Sequence, residues 1–312
     1  MLIETEAAEY KTFFPDSPHP FISEGFMSLN SKKVERVIRL LYEVDKPQIG
    51  LIAGVKNQMM LSPFSAPFGG FHFKNENVYV SVIDKFINSV KKYIATHSYK
   101  GIELVLPPDI YNMSFNAKVV NSLIRQGFGQ VVPEITNWID LSQFTGSFKQ
   151  KNSREYYRQA LRNGLDFCPA EDIQEKLMIY TLIAKNRARM GRPIYMTFDD
   201  ILETGKLWKT DFFKVSDPNG SIIASAIFYR FLPEIGYAVF WGDSEQGRPL
   251  RAMDFLVHNL WNFYKDLGYR FLDMGISTES GLPNEGLLRF KESHDIVSSL
   301  RYRFIWKPEH TK

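Results

Sequence analysis

The 312-residue chain has one cysteine, Cys168. A single thiol excludes an intramolecular disulfide and any zinc site built on several cysteines, and it suits a reducing compartment. No stretch approaches the roughly 18 uninterrupted apolar residues that a membrane span needs. The opening MLIETEAAEYKTFFPDS is acidic and lacks an apolar core, so no secretory signal and a cytoplasmic setting are expected. A net charge of +3 is too small to mark a nucleic-acid binder by itself. There is no Gly-x-Ser-x-Gly elbow, no His-Glu-x-x-His pair and no Walker loop, so no catalytic nucleophile or metal site stands out. Cys168 follows an apolar strand pattern and precedes proline, with nothing to activate it.

Material for a core is plentiful. The composition is 44% apolar, with 25 Phe, 15 Tyr and 5 Trp, and the length favours two domains. Residues 1–147 carry 14 basic and 14 acidic side chains, and residues 148–312 carry 24 and 21, so the whole excess lies in the second half. Much of it sits in KQKNSREYYRQALR (149–162). On a helix, Arg154, Arg158 and Arg162 recur every four residues on one face, either as a solvated surface or as a phosphate-facing stripe.

The order of elements repeats. In the first half, SKKVERVIRLLYEV places Val34, Val37, Ile38 and Leu41 at helical spacing and predicts a helix. IGLIAGV and QMMLSPF read as strands, VYVSVIDKFINSVKKYIATH as an amphipathic helix and GIELVLPP as a buried strand. FNAKVVNSLIRQG is a helix closed by Gly127, and ITNWIDL a strand. In the second half, helices EKLMIYTLIAKNRARMG and TFDDILETGKLW precede a hairpin, DFFKVSD to SIIASAIFYRF. Strand IGYAVFWGD, helix AMDFLVHNLWNFYKDLG and strands YRFLDMGI and LRYRFIWKP follow. Residues 84–106 set on 254–276 without gaps match Asp84 to Asp254, Tyr99 to Tyr269 and Glu103 to Asp273, with apolar positions falling on apolar ones. A duplicated α/β chain is the reading: domains 1–146 and 147–312, each a mixed central sheet flanked by helices, the last strand able to pack back on the first.

Strand, loop, amphipathic helix, strand is the core unit of the GNAT acyltransferase fold, and two in tandem resemble the FemABX-like family. Four stretches carry the resemblance: SPFSAPFGG (62–70), NSREYYRQALRNGLDF (152–167), AKNRARMGRP (184–193) and LDMGISTESGLPNEGLLRFKESHD (272–295). The last, in which a strand with Asp-x-Gly leads to Gly-Leu-x-x-Phe-Lys, is the most specific. Two departures stand out. The family's Pro-x-Gly-Pro segment has become Pro63-Phe64-Ser65-Ala66-Pro67, and the single-domain acetyltransferase signature Arg/Gln-x-x-Gly-x-Gly/Ala is missing from GDSEQGRPLRAM (242–253).

The resemblance implies a transferase that moves an acyl or aminoacyl group to an amine. Its donor would be acyl-CoA, acyl carrier protein or aminoacyl-tRNA, its acceptor a small-molecule or lipid-linked amine. It implies substrate contacts at Lys291, Phe290, Arg187, Ser62, Phe68, Gly69 and Gly70, with Lys291 as a cation at the rim of the site. Arg248 and Arg251, in the loop before a helix, and Arg158 on the basic helix are the candidates for donor phosphates. Asp273 is expected either as a buried carboxylate tied to backbone donors or as a site group, His258 as a packing residue and His72 as a candidate base. A catalytically silent module that binds a nucleotide-like ligand or a protein is the alternative, favoured by the missing glycine signature. A plain nucleic-acid-binding protein suffers from the small net charge.

Overall fold

The computed structural model describes residues 1–42 and 46–308. The chain forms two compact units, Met1–Ile135 with Ser280–Leu282 and Ser299–Lys312, and Thr136–Glu279 with Pro283–Ser298. The class is mixed α/β, as the sequence predicts.

The first unit opens with β1 (Leu2–Glu4), α1 (Ala7–Phe13), α2 (Glu24–Asn30) and β2 (Arg36–Tyr42), followed by β3 (Ile49–Lys56), β4 (Met59–Ser62) and β5 (Phe71–Phe73). Helix α3 (Val80–Thr96), strand β6 (Gly101–Val105) and helix α4 (Asp109–Arg125) complete its first stretch, α4 being kinked at Asn112. The helix expected over SKKVERVIRLLYEV is instead a short turn, Ser31–Lys33, followed by β2; residues 43 and 44 lie outside the described residues. Its apolar residues serve a two-sided strand. Ile38, Leu40 and Tyr42 enter the core beneath α3 and α4, while Leu41 and Val37 pack with Tyr10, Phe14, Ile22 and Met27. A run buried on both faces carries no clear alternation, so it satisfied a helical spacing by chance.

The second unit takes β7 (Gly129–Asp140) from Thr136 onward, then α5 (Lys151–Arg162), β8 (Asp166–Pro169), α6 (Ile173–Arg189) and α7 (Phe198–Thr204). Strands β9 (Thr210–Ser216), β10 (Ile222–Leu232) and β11 (Ile235–Asp243) run antiparallel in turn. Helix α8 (Ala252–Asp266) leads to β12 (Phe271–Ile276), the small strands β13 (Thr278–Glu279) and β14 (Leu282–Pro283), and α9 (Glu285–Ser293). The division falls at Ile135/Thr136 because Thr136–Asp140 pairs antiparallel with β12. The last strand, β15 (Val297–Trp306), pairs through Arg303–Trp306 with β6 in the first unit.

Side-chain alternation on β10 divides the second unit's core. Ala224, Ala226 and Phe228 face α8 with Phe255, Leu256 and Trp261, whereas Ile227 packs with Ile179 and Ile183 of α6. Each unit thus repeats antiparallel strands, an amphipathic helix (α3 or α8) and a strand parallel to an earlier one (β6 to β4, β12 to β11).

Candidate functional site

The two parallel pairs end differently. In the first unit β4 and β6 stay in register over Met59–Ser62 and Gly101–Leu104. The chain then turns back, and the Gly69 N–H donates to the Val105 carbonyl at 2.8 Å. Ser62 Oγ accepts the Gly70 N–H at 3.2 Å, and Gly70 adopts φ +110°, which favours glycine. Phe68, 1% exposed, is wedged among His19, Phe21 and Tyr111 with ring centroids 4.8–5.2 Å away. Ser62, Phe68, Gly69 and Gly70, expected as substrate contacts, are therefore packing elements that close the strand end. A wedge of this kind satisfies the backbone groups that a ligand would otherwise meet.

His72, considered as a base, is also buried. Its Nδ1 meets the Tyr10 hydroxyl at 2.9 Å and its Nε2 the Ser17 hydroxyl at 3.3 Å. Burial first, and then His19, lowers its pKa to about 3, so the ring is neutral at physiological pH.

In the second unit the pair opens. Strands β11 and β12 are in register only over Ile235–Tyr237 and Phe271–Asp273. Directly beyond, β11 carries a bulge: Ile227 of β10 pairs with Phe240 and Phe228 with Ala238, leaving Val239 extra. Strand β12 bends where Gly275 takes φ +68° and donates its N–H to Asp273 Oδ1 at 2.9 Å. A bulge re-aims a strand and ends its pairing, and here one sits on each partner of the parallel pair. The end of β11 (Trp241, Gly242 and Asp243) lines a groove with the last turns of α6 and the start of α9.

The groove has two lobes of about 310 Å³ each, joined at Arg187, Arg192, Asn284 and Leu287. One lobe is apolar: Trp241 and Phe290 meet edge to face at 5.7 Å, beside Met190, Met253 and Leu287. Arg187 stands at the junction. Its Nε is buried with no hydrogen-bond partner among the described residues. Burial lowers its pKa, Arg192 adds to this, and Glu279 opposes it. A guanidinium left partly unsatisfied in a groove is a fork awaiting a carboxylate or phosphate. Arg192 is held by Glu279 at 3.5 Å.

Lys291 does not line this groove. It is 1% exposed and donates to Asn137 Oδ1 (3.1 Å) and the carbonyls of Gly275 (2.9 Å) and Ile276 (3.1 Å). Asn137 Oδ1 also accepts from the Ser277 hydroxyl, and its amide donates to Ser298 Oγ at 2.9 Å. Burial pulls Lys291 down to about 7; Asp273 opposes this, and Arg187 adds to it. The expected rim cation is thus a buried pin on the divergent end of β12. Its neighbour Phe290 does reach the groove. Asp273 is the buried carboxylate expected, and His258 packs face to face on Tyr157 at 3.6 Å while its Nε2–H donates to the Gly146 carbonyl.

The donor-phosphate candidates do not converge. Arg158 is exposed and shares Glu155 with Arg162. Arg154 folds back on the carbonyls of Phe148 and Lys149, so the basic stripe of α5 is broken. Arg251 lies over the Tyr156 ring at 3.7 Å, and Arg248 leans on Asp243 at 3.6 Å. Four of the eight backbone donors in residues 244–252 are already bonded. Ser244 N–H goes to the Ile223 carbonyl, Gly247 N–H to Ser244, Arg251 N–H to Arg248 and Ala252 N–H to Gly247. Those four donors are not free to hold a diphosphate at the start of α8.

Sequence reasoning passed over Asp243. Its side chain is 13% exposed, Oδ1 accepts from Asn186 Nδ2 at 2.9 Å, and the same amide binds the Asp243 carbonyl at 2.7 Å. Burial raises its pKa, against Arg248 and Arg189. Its signal was an acid ending a strand inside a loop already singled out for its arginines.

No family model matches the chain, and neither does any curated protein. Solved structures do. FemX is 12% identical, with a TM-score of 0.70 over 99% of this chain and 97% of its own. L-PGS from Bacillus licheniformis is 15% identical, with a TM-score of 0.61 over 99% and 94%. A tandem GNAT protein from the clavulanic acid biosynthesis pathway is 6% identical, with a TM-score of 0.58 over 98% of both chains. The chain therefore has the tandem GNAT fold.

Proposed function

We propose that the chain is an N-acyltransferase that moves an acyl or aminoacyl group to an amine in the groove of its second unit. The observation that carries the reading is the parting of β11 and β12 onto a groove that holds an incompletely bonded guanidinium, Arg187. The resemblance to FemABX-like and GNAT acyltransferases supports the reaction class, and the shared fold supports the resemblance. Strands that part expose backbone N–H groups able to hold a reacting carbonyl and its developing negative charge. Arg187 supplies the contact to an anionic group of donor or acceptor, and Trp241 and Phe290 supply an apolar wall.

The candidate donors are acyl-CoA, acyl carrier protein and aminoacyl-tRNA; the bonds made by the Ser244, Gly247, Arg251 and Ala252 N–H groups leave fewer backbone donors for a diphosphate on that loop. The acceptor is a small-molecule or lipid-linked amine. A thermal-shift and product screen of acetyl-CoA, long-chain acyl-CoA and aminoacyl-tRNA against primary amines tests the reading. A donor at about 100 times its Kd stabilises the fold by about 2.7 kcal/mol. Arg187→Met should cut transfer by roughly 10- to 100-fold, the worth of a charged hydrogen bond. Full transfer by that variant would move the reaction elsewhere.

A further inference from the structure

We propose that the first unit binds one internal water molecule, which bridges His19 and Asn112 and locks the closed strand end in place. The site lies outside the groove, so it stands apart from the transferase reading.

His19 sits between Pro18 and Pro20 and is 1% exposed. Its Nε2–H donates to the Gly69 carbonyl at 3.0 Å. Burial, opposed by that bond, lowers its pKa to about 4, so the ring is neutral and Nδ1 is left as an acceptor. Nδ1 is buried and meets no donor among the described residues. The buried side-chain nitrogen of Asn112 likewise meets no acceptor. A ring nitrogen that needs a donor and an amide that needs an acceptor are complementary. Both residues line one small cavity just past the end of β6, walled otherwise by Phe71, Phe73, Phe115 and Pro107.

The cavity leaves about 10 Å³ for the centre of a water-sized sphere, room for one water and nothing larger. A water there accepts from Asn112 Nδ2 and donates to His19 Nδ1. Pro107 lines the same cavity, and its carbonyl, which accepts from Asn116 Nδ2 at 3.1 Å, has a second lone pair for the other hydrogen. Three partners are typical of an internal water, and buried polar groups rarely go without any.

The bridge also gives the kink in α4 a purpose. Asn112 leaves the helical conformation at φ −161° and ψ 67°, and its side chain lines the cavity. Through the water it is joined to His19, which packs on Phe68 at 4.8 Å and holds the Gly69 carbonyl. Phe68 and Gly69 are two of the residues that close the end of β4 and β6.

The test combines a crystal structure of the wild type with nuclear magnetic resonance on the full chain, labelled with 15N at histidine, asparagine and glycine. One water should stand about 2.7–3.2 Å from both His19 Nδ1 and Asn112 Nδ2. Its cross peak to the Asn112 amide protons should be present, and the Nδ1 resonance should lie upfield of an imine nitrogen without a donor. In Asn112→Leu the amide is gone and the larger side chain fills the water's place. There Nδ1 should move downfield, and the Gly69 amide, bonded to the Val105 carbonyl at 2.8 Å, should exchange with solvent roughly tenfold faster. A dry cavity or direct contact between the two side chains overturns the proposal, as does a variant with unmoved Nδ1 or unchanged Gly69 exchange. If Asn112→Leu fails to fold, the wild-type density and cross peak decide the matter.

Discussion

Replacing Lys291 by methionine keeps most of the stem and removes the ammonium. Two opposed quantities result. The carbonyls of Gly275 and Ile276 and the Asn137 amide oxygen lose a donor, at about 1–3 kcal/mol for each buried group left unsatisfied. Against this, the variant no longer buries a charge. The gap between about 7 in the fold and 10.5 for an ordinary lysine corresponds to on the order of 4 kcal/mol at neutral pH. Absolute stability is therefore a difference of similar terms, and the pH dependence is the sharper measurement. The folded pKa is depressed, so between about 7 and 10.5 the unfolded chain binds more protons and stability rises with pH. Below that window both states are protonated, and above it both are neutral. From pH 7 to pH 9 the wild type should gain roughly 2 kcal/mol that Lys291→Met does not gain. Urea unfolding followed by tryptophan fluorescence suits the purpose, because Trp138, Trp208, Trp241 and Trp261 all belong to the second unit. Parallel pH profiles in the two proteins would refute the placement of the ammonium.

Two further perturbations test the packing. A Cβ at Gly69 would lie 2.7 Å from the Pro63 nitrogen and the Ser62 carbonyl carbon, backbone atoms that cannot swing aside. Gly69→Ala should cost about 1–3 kcal/mol, read as a lower melting temperature; an unchanged melt contradicts the wedge. Asp211 accepts from Arg230 Nε at 2.7 Å, Arg230 Nη2 at 3.0 Å and the Tyr264 hydroxyl at 2.9 Å. Asp211→Ala strands a shielded guanidinium and should cost about 3–5 kcal/mol by urea titration; a loss below about 1 kcal/mol contradicts this account.

Elements whose apolar residues face one way were legible from the sequence. Helices α3, α6 and α8 showed their stripes, and the Pro218-Asn219-Gly220 turn announced the β9–β10 hairpin. Strand β2 was not legible, because its two faces are buried by different parts of the chain and local spacing carries no record of that. The groove was half visible. Phe290 and Arg187 came from a motif, whereas Asp243 depends on where β11 stops pairing, which only the register reveals. Lys291 was misplaced for a related reason. Asn137 is 154 residues away and the Gly275 and Ile276 carbonyls lie across a turn of the chain, so a lysine within a short helix looks solvated until the fold is known.

The path of the chain has a consequence for synthesis. The second unit has all its residues once Ser298 has emerged, while the first still lacks the strand that pairs with β6 along Ile102–Val105. The part translated first is thus the part finished last. Until Arg303–Trp306 arrive, β6 presents bare N–H and C=O groups on one side, and such an edge is a template for joining other chains. A chain that has emerged only as far as residues 298–303 would carry a complete second unit and an incomplete sheet in the first, the stage at which a chaperone would be most needed.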